Sequence, residues 1–168
     1  LLLESLYIEN VAVIEKDNID FDIGLNIITG ETGAGKSIII DSINAILGHR
    51  VSRDMIRTGA DSALISAVFR DLSKRSLELV SKLGYKIEED GSLIIQREIN
   101  SNGKTTCKIN GRPATVSILK DIGDSLINIH GQHESYGLLS SDLHINYIDA
   151  MAKTSELLNK YRQAYDTM

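Results

Sequence analysis

A glycine-rich run near the N-terminal end carries the residue types that hold phosphate groups. Residues 30–37 read GETGAGKS, a glycine followed by four residues and then Gly-Lys-Ser. Glycines let backbone N–H groups approach a phosphate without an intervening Cβ, and the helix that follows directs its unpaired N-terminal donors at the same place. In this pattern the lysine reaches the β- and γ-phosphates, and the serine hydroxyl is a ligand of Mg²⁺. The predicted nucleoside-triphosphate site consists of Gly30, Glu31, Thr32, Gly33, Ala34, Gly35, Lys36 and Ser37.

The segments on both sides of this loop have the patterns that a phosphate loop requires. The apolar residues 25–29 precede the loop and predict a strand. From Ser37 onward, apolar residues recur at three- and four-residue steps, which predicts a helix that stops at Gly48. The order strand, loop, helix favours a nucleotide site over a simple glycine-rich turn.

Strand and helix patterns alternate along the rest of the chain and predict an α/β fold. Strands are expected at residues 6–14, 19–23, 63–69, 93–99, 105–109 and 126–129. Turn-forming residues at 100–103 predict a hairpin between two of these strands, and Asn110-Gly111 predicts a further turn. One helix is expected around residues 77–83, ending at Gly84, and another after Thr115, which is expected to be its N-cap.

Composition excludes several functional classes. The formal net charge of -5 indicates no overall basic field, so any contact with DNA would need a local patch or another part of the protein. The single cysteine, Cys107, excludes an internal disulfide framework and favours a reducing cytoplasm. No apolar run approaches the ~20 residues that a membrane span needs, and no signal peptide is visible.

A catalytic carboxylate cannot be identified from the sequence. Hydrolysis of a nucleoside triphosphate needs an aspartate or glutamate at the end of a buried strand, where it organises Mg²⁺ and water. The strand expected at 63–69 is followed by Arg70 before Asp71, and Asp149 lies in a helical pattern. The chain is therefore predicted to bind a nucleotide without a complete hydrolytic site.

Three stretches together resemble the N-terminal part of the RecN family of bacterial DNA repair proteins, over residues 6 to 149. They are IITGETGAGKSIIIDSINAILGHR, REINSNGKTTCKINGRPATVSILKDIG and LINIHGQHE. That family is similar to the structural maintenance of chromosomes (SMC) ATPases, whose heads are of the ABC type. General SMC heads usually have Asn-Gly where this chain has Thr32-Gly33. The resemblance implies a P-loop NTPase fold with a mixed sheet, a β-hairpin lobe and a C-terminal helix that enters a coiled coil.

The family's head is split, and the resemblance assigns this chain to its first half. It implies that residues 1–141 form the N-terminal half of the ATPase head and that residues 142–168 lead into the coiled coil. Gln132 would contact Mg²⁺ and the attacking water, Lys36 would act on the phosphates of ATP, and Arg57 would lie near the site. The signature motif, the metal-binding aspartate and the catalytic glutamate would come from the C-terminal half. The implied partners are that half, a second head in a homodimer around ATP, and DNA in a cytoplasmic, nucleoid-associated protein.

Other functional classes remain open from the residues alone. A small-molecule kinase could use the same loop with Arg50 and Arg53 in a lid, although no acceptor pocket is visible in the sequence. A helicase would need an Asp-Glu pair that the sequence lacks, and a pure nucleotide-binding module would need nothing more. In the C-terminal segment, Leu158, Tyr161, Tyr165 and Met168 step by three or four residues, which fits either the start of a coiled coil or an ordinary amphipathic helix.

Smaller clusters have a structural and a functional interpretation. His130 and His133 suggest a metal site, but without a further ligand cluster they are expected only to shape the glutamine loop. A group of basic residues around the hairpin could contact DNA phosphates, although a solvated strand face is the favoured interpretation. These residues are Arg97, Lys104, Lys108 and Arg112. Cys107 is expected to be a strand residue with no redox role.

Overall fold

The structure is a computed structural model of the chain, and it describes residues 2–29, 35–127, 129, 148, 151–152 and 155–166. The chain divides into two compact units, residues 1–128 and residues 129–168. The predicted boundary between residues 141 and 142 lies outside the described residues and stays a prediction.

The first unit is built on a six-stranded sheet with the strand order β2-β1-β3-β4-β5-β6. The strands are β1 (Leu2–Val11), β2 (Ile14–Asp20), β3 (Ser62–Arg70), β4 (Leu93–Asn100), β5 (Thr105–Ile109) and β6 (Arg112–Ala114). All of the described pairings are antiparallel, and no parallel strand of the expected mixed sheet occurs within residues 2–29 and 35–127. The predicted strand at 63–69 and the hairpin of 93–99 with 105–109 are confirmed.

Among the described residues, three α-helices accompany the sheet, and a helix of 12 residues lies in the second unit. They are α1 (Lys36–Ile46), α2 (Lys74–Lys82), α3 (Val116–Leu126) and α4 (Ser155–Asp166); a short 3₁₀ turn covers Arg53–Met55. Gly48 follows α1 with φ +83° and Gly84 follows α2 with φ +85°, a left-handed conformation that glycine adopts at low cost. The Thr115 hydroxyl accepts a hydrogen bond from the Ile118 N–H at 3.3 Å. The predicted helix stops and the predicted N-cap are confirmed.

The core lies between one face of the sheet and the helices. In β3, buried and half-buried residues alternate strictly, and Ile65 and Phe69 are fully buried. Because successive side chains of a strand point to opposite sides, this alternation means that one face of the sheet is covered far more completely than the other. The α1 helix packs on β1, β3 and β4, and α2 packs on α3.

Two predicted strands are wrong, and two others have different bounds, because the strand expected at 6–14 ends at Val11 and the one expected at 19–23 ends at Asp20. Residues 25–29 have no strand structure and are exposed, with Leu25 at 88% and Ile27 at 75% of full exposure. Leu126 is the last residue of α3, and Ile127 and Ile129 have no regular structure. A strand is stable only when its backbone is paired, and the described residues supply no partner strand for either segment.

Candidate nucleotide-binding site

The described part of the predicted phosphate loop begins at Gly35. Gly30, Glu31, Thr32, Gly33 and Ala34 lie outside the described residues, so their roles stay predictions. Gln132, His130 and His133 also lie outside them.

Gly35 is the N-cap of α1 and has a backbone conformation that side chains rarely adopt. Its φ is +155° and its ψ is −33°, and its carbonyl accepts the first helical hydrogen bond, from the Ile39 N–H at 3.0 Å. An added Cβ would meet no atom of the described residues within 4 Å, so the backbone conformation is what favours glycine here.

The first turn of α1 is suited to an anion. No side chain caps the helix among the described residues, and its first turn contains no acidic residue. The first N–H groups of a helix have no partner within the helix and carry a partial positive charge, which attracts anions. Lys36 is half-buried and Ser37 is exposed in the same turn. An ammonium and a hydroxyl beside these donors fit a phosphate and Mg²⁺, which prefers oxygen ligands.

Arg97 is buried, which corrects both interpretations of this residue as part of a DNA-binding or solvated face. Its side chain is on the core side of β4 and the residue is 3% exposed. Nη1 donates hydrogen bonds of 2.7 Å to the carbonyl oxygens of Ala45 and His49, at the C-terminal end of α1. Burial lowers the pKa of the Arg97 guanidinium. The other three basic residues of the group, Lys104, Lys108 and Arg112, are exposed as expected.

The alternation of buried residues along β4 predicts that Arg97 is buried. Leu93, Ile95 and Ile99 are all buried, and Arg97 falls at the same parity. Residues two apart on a strand share a face, so the pattern points Arg97 to the core before any contact is known. Cys107 is the direct cross-strand neighbour of Arg97 and is also buried, and burial raises the pKa of its thiol.

Two further arginines, Arg57 and Arg53, contact turns between strands of the first unit. The Arg57 guanidinium donates a 2.7 Å hydrogen bond to the Val13 carbonyl, between β1 and β2. The Arg57 N–H donates to the Asn10 carbonyl at 2.9 Å, so both its backbone and its side chain are attached to this hairpin. The Arg53 guanidinium lies against Gly103 in the β4–β5 turn. A role of Arg57 at the nucleotide stays a prediction.

The described carboxylates do not form a metal centre. Within residues 2–29, 35–127 and the described part of the second unit, no three His, Cys, Asp or Glu side chains are grouped to hold a metal ion. At the end of β3, Arg70 forms ion pairs with Glu4 and Asp90.

None of the helices in the described ranges is both long and apolar enough to span a membrane.

The chain is similar to known proteins over nearly its whole length. The AAA domain family matches residues 5–168. The chain is 40% identical over 167 residues to the DNA repair protein RecN of Halalkalibacterium halodurans, a match that covers 98% of this chain and 29% of the relative. The chain therefore spans less than a third of the length of that relative.

Solved SMC structures share the fold. One, from work on ATP-driven dimerization and DNA-stimulated activation of SMC ATPases, is 26% identical with a TM-score of 0.64, over 89% of this chain and 98% of that chain. An Smc head domain with an extended coiled coil from Pyrococcus furiosus, bound to the C-terminal domain of ScpA, is 23% identical with a TM-score of 0.68, over 98% and 47% of the two chains. The chain belongs to the AAA domain family, with the fold of an SMC-type P-loop ATPase head, and is similar throughout its length to part of RecN.

Proposed function

We propose that this chain is the ATP-binding half of an SMC-like ATPase head, which in the full-length protein couples ATP binding and hydrolysis to DNA double-strand break repair and recombination. The observation that carries the proposal is the start of α1. Directly after GETGA, α1 begins at Lys36 and Ser37 with Gly35 as its N-cap, and its first turn contains no acidic residue. The similarity to RecN over 98% of the chain supplies the connection to DNA repair.

The residues of the chain bind and orient the nucleotide in this proposal. The phosphate loop from Gly30 to Ser37 would hold the phosphates, Lys36 would neutralise them, and Ser37 would supply an oxygen ligand for Mg²⁺. Gln132 would contact Mg²⁺ and the attacking water. Bound Mg-ATP supplies the phosphoanhydride bond that is hydrolysed. The catalytic carboxylate and the signature motif come from the C-terminal half and from a second head.

An exposed apolar segment supports the proposed association with the C-terminal half of the same head. Residues 22–29 follow β2 without joining the sheet, and three of their side chains are more than 70% exposed. These are Ile23, Leu25 and Ile27. Exposed apolar side chains on a segment outside the sheet favour the addition of another strand, because pairing would bury the side chains and satisfy the backbone together.

The second unit supports the proposed coiled coil. In α4, the rings of Tyr161 and Tyr165 stack with their centroids 6.3 Å apart, and both side chains are exposed. Residues four apart on a helix share a face, so these rings form an apolar stripe that another helix can cover. A full-length protein of this kind would act on DNA in the cytoplasm, at the nucleoid.

Phosphate release tests the proposal. The full-length protein should hydrolyse Mg-ATP, with more turnover in the presence of double-stranded DNA, and Lys36→Ala should remove the activity. Residues 1–168 alone should stay near background, because a positioned base and electrostatic stabilisation each supply a factor of ~10²–10⁴. Activity should return when the separately expressed C-terminal half is added. Hydrolysis by residues 1–168 alone that Lys36→Ala abolishes would mean that this half contains its own catalytic carboxylate.

A further inference from the structure

The C-terminal end of α1 touches α3 backbone to backbone. A Cβ on Gly48 would lie 2.4 Å from the backbone nitrogen of Lys120, and a Cβ on Gly123 would lie 2.6 Å from the carbonyl oxygen of Leu47. Both distances are shorter than real Cβ contacts, and both neighbours belong to the backbone, so a side chain would force one helix away from the other. Two glycines therefore set the separation of α1 and α3 at this point.

Arg97, on strand β4 of the sheet, forms hydrogen bonds with the same end of α1. Its two 2.7 Å hydrogen bonds to Ala45 and His49 reach carbonyl groups at the C-terminal end of the helix, where the helix has a partial negative charge. Its Nε is buried without a hydrogen-bond partner, and no carboxylate of the described residues forms an ion pair with it. The described hydrogen bonds of the Arg97 side chain are thus both made to the end of α1.

We propose that Gly48, Arg97 and Gly123, which we call the α1 clamp, are positioning residues for the phosphate loop. This inference rests on the proposed nucleotide site. The α1 helix has 11 residues and is about 16 Å long, and the phosphate loop continues directly from its N-terminal end. Because a short helix is stiff, a shift or tilt forced at its C-terminal end is carried to Gly35, Lys36 and Ser37. The clamp then determines where Gly35, Lys36 and Ser37 lie relative to the sheet.

Gly84 provides an internal control for backbone strain. It follows α2 with φ +85°, almost the same as φ +83° at Gly48, but a Cβ on Gly84 would meet nothing within 4 Å. Substitution by alanine strains the backbone equally at both positions, whereas only Gly48→Ala drives α1 and α3 apart. A difference between these two variants therefore reports the contact between the helices.

The experiment uses the full-length protein that carries this chain and compares four variants with wild type. Gly48→Ala and Gly123→Ala disturb the contact with α3, Arg97→Lys keeps the charge but loses the two-carbonyl geometry, and Gly84→Ala is the control. Affinity for a fluorescent ATP analogue is measured well below the melting temperature, so that only folded protein is compared. Hydrogen exchange of the amides at residues 36–39 is measured without nucleotide.

We expect the three clamp variants to bind the analogue on the order of tenfold more weakly. We also expect the amide hydrogens of residues 36–39 to exchange faster in these variants. Gly84→Ala should lower the melting temperature and leave both readouts at wild-type values. Arg97→Lys is the mildest change and keeps the test readable if an alanine variant does not fold. Wild-type affinity and wild-type exchange in folded clamp variants would overturn the proposal.

The two measurements also separate this inference from the proposed function. If wild type binds the analogue and Lys36→Ala does not, unchanged affinity in the clamp variants refutes the clamp alone. If wild type fails to bind, the proposed function fails, and the exchange rates at residues 36–39 still decide whether the clamp sets the start of α1.

Discussion

Arg70 and Asp90 join the end of β3 to the segment before β4 through a 2.8 Å ion pair between Nη2 and Oδ2. Asp90 also accepts hydrogen bonds from the hydroxyl and the N–H of Ser92, at 2.6 and 3.0 Å. The Ser92 hydroxyl, the Ser92 N–H and then the Arg70 guanidinium lower the pKa of Asp90 from 3.8 to about 2. Its carboxylate form is thus favoured in the folded chain.

This pKa predicts a specific loss of stability in acid. Because the folded pKa of Asp90 lies below its ordinary value, its contribution is complete above about pH 4 and is lost as the pH falls through about 2. Asp90→Asn should be less stable than wild type at pH 6, and the difference should shrink toward pH 2. Urea unfolding at a series of pH values measures it. Asp121→Asn, at an exposed position on α3, is the control, and a pH-independent difference for Asp90→Asn would contradict the prediction.

Lys36→Ala should weaken nucleotide binding without unfolding the chain. The substitution removes the one full positive charge that the motif directs at the phosphates, and charge-assisted contacts contribute ~1.5–3 kcal/mol. This corresponds to roughly a ten- to hundred-fold loss of affinity for a fluorescent ATP analogue. Lys82→Ala, an exposed lysine at the end of α2, should bind as wild type. Equal affinities of Lys36→Ala and wild type would remove this lysine from the site.

Residues 1–168 on their own should self-associate. The exposed side chains of Leu25 and Ile27 lie on an unpaired segment that can add to another chain. Light scattering at increasing concentration should show species larger than a monomer, and Leu25→Ser combined with Ile27→Ser should reduce them. Val13→Ser is the control, because Val13 is 67% exposed but lies between β1 and β2. A monomer at high concentration would argue against this interpretation of the segment.

Thr115→Ala should destabilise α3 by removing its N-cap. The hydroxyl satisfies the Ile118 N–H, which has no helical partner, and loss of such a cap costs about 1 kcal/mol. The urea midpoint should fall, whereas Ser117→Ala, at an exposed position in the first turn, should leave it nearly unchanged. The same midpoint in Thr115→Ala and wild type would mean that the cap contributes nothing.

The sequence by itself determined the features that depend on neighbouring residues. The helix stops at Gly48 and Gly84, the Thr115 cap and the hairpin of β4 and β5 are encoded within a few residues of where they occur. Backbone preference and local hydrogen bonding decide such features, so they can be predicted without knowledge of the fold. The phosphate-loop motif belongs to this class, because its glycines and the helix after it are adjacent in the chain.

Only the tertiary structure decided what depends on distant partners. Residues 25–29 have the composition of a strand, but a strand needs a paired neighbour, and the described residues contain none for it. Arginine is usually a surface residue. The register of β4 and the packing of α1 nevertheless bury Arg97 against the C-terminal end of a helix that lies more than 45 residues away in sequence. The contact of Gly123 with α1 likewise depends on how two helices meet, which no local preference specifies.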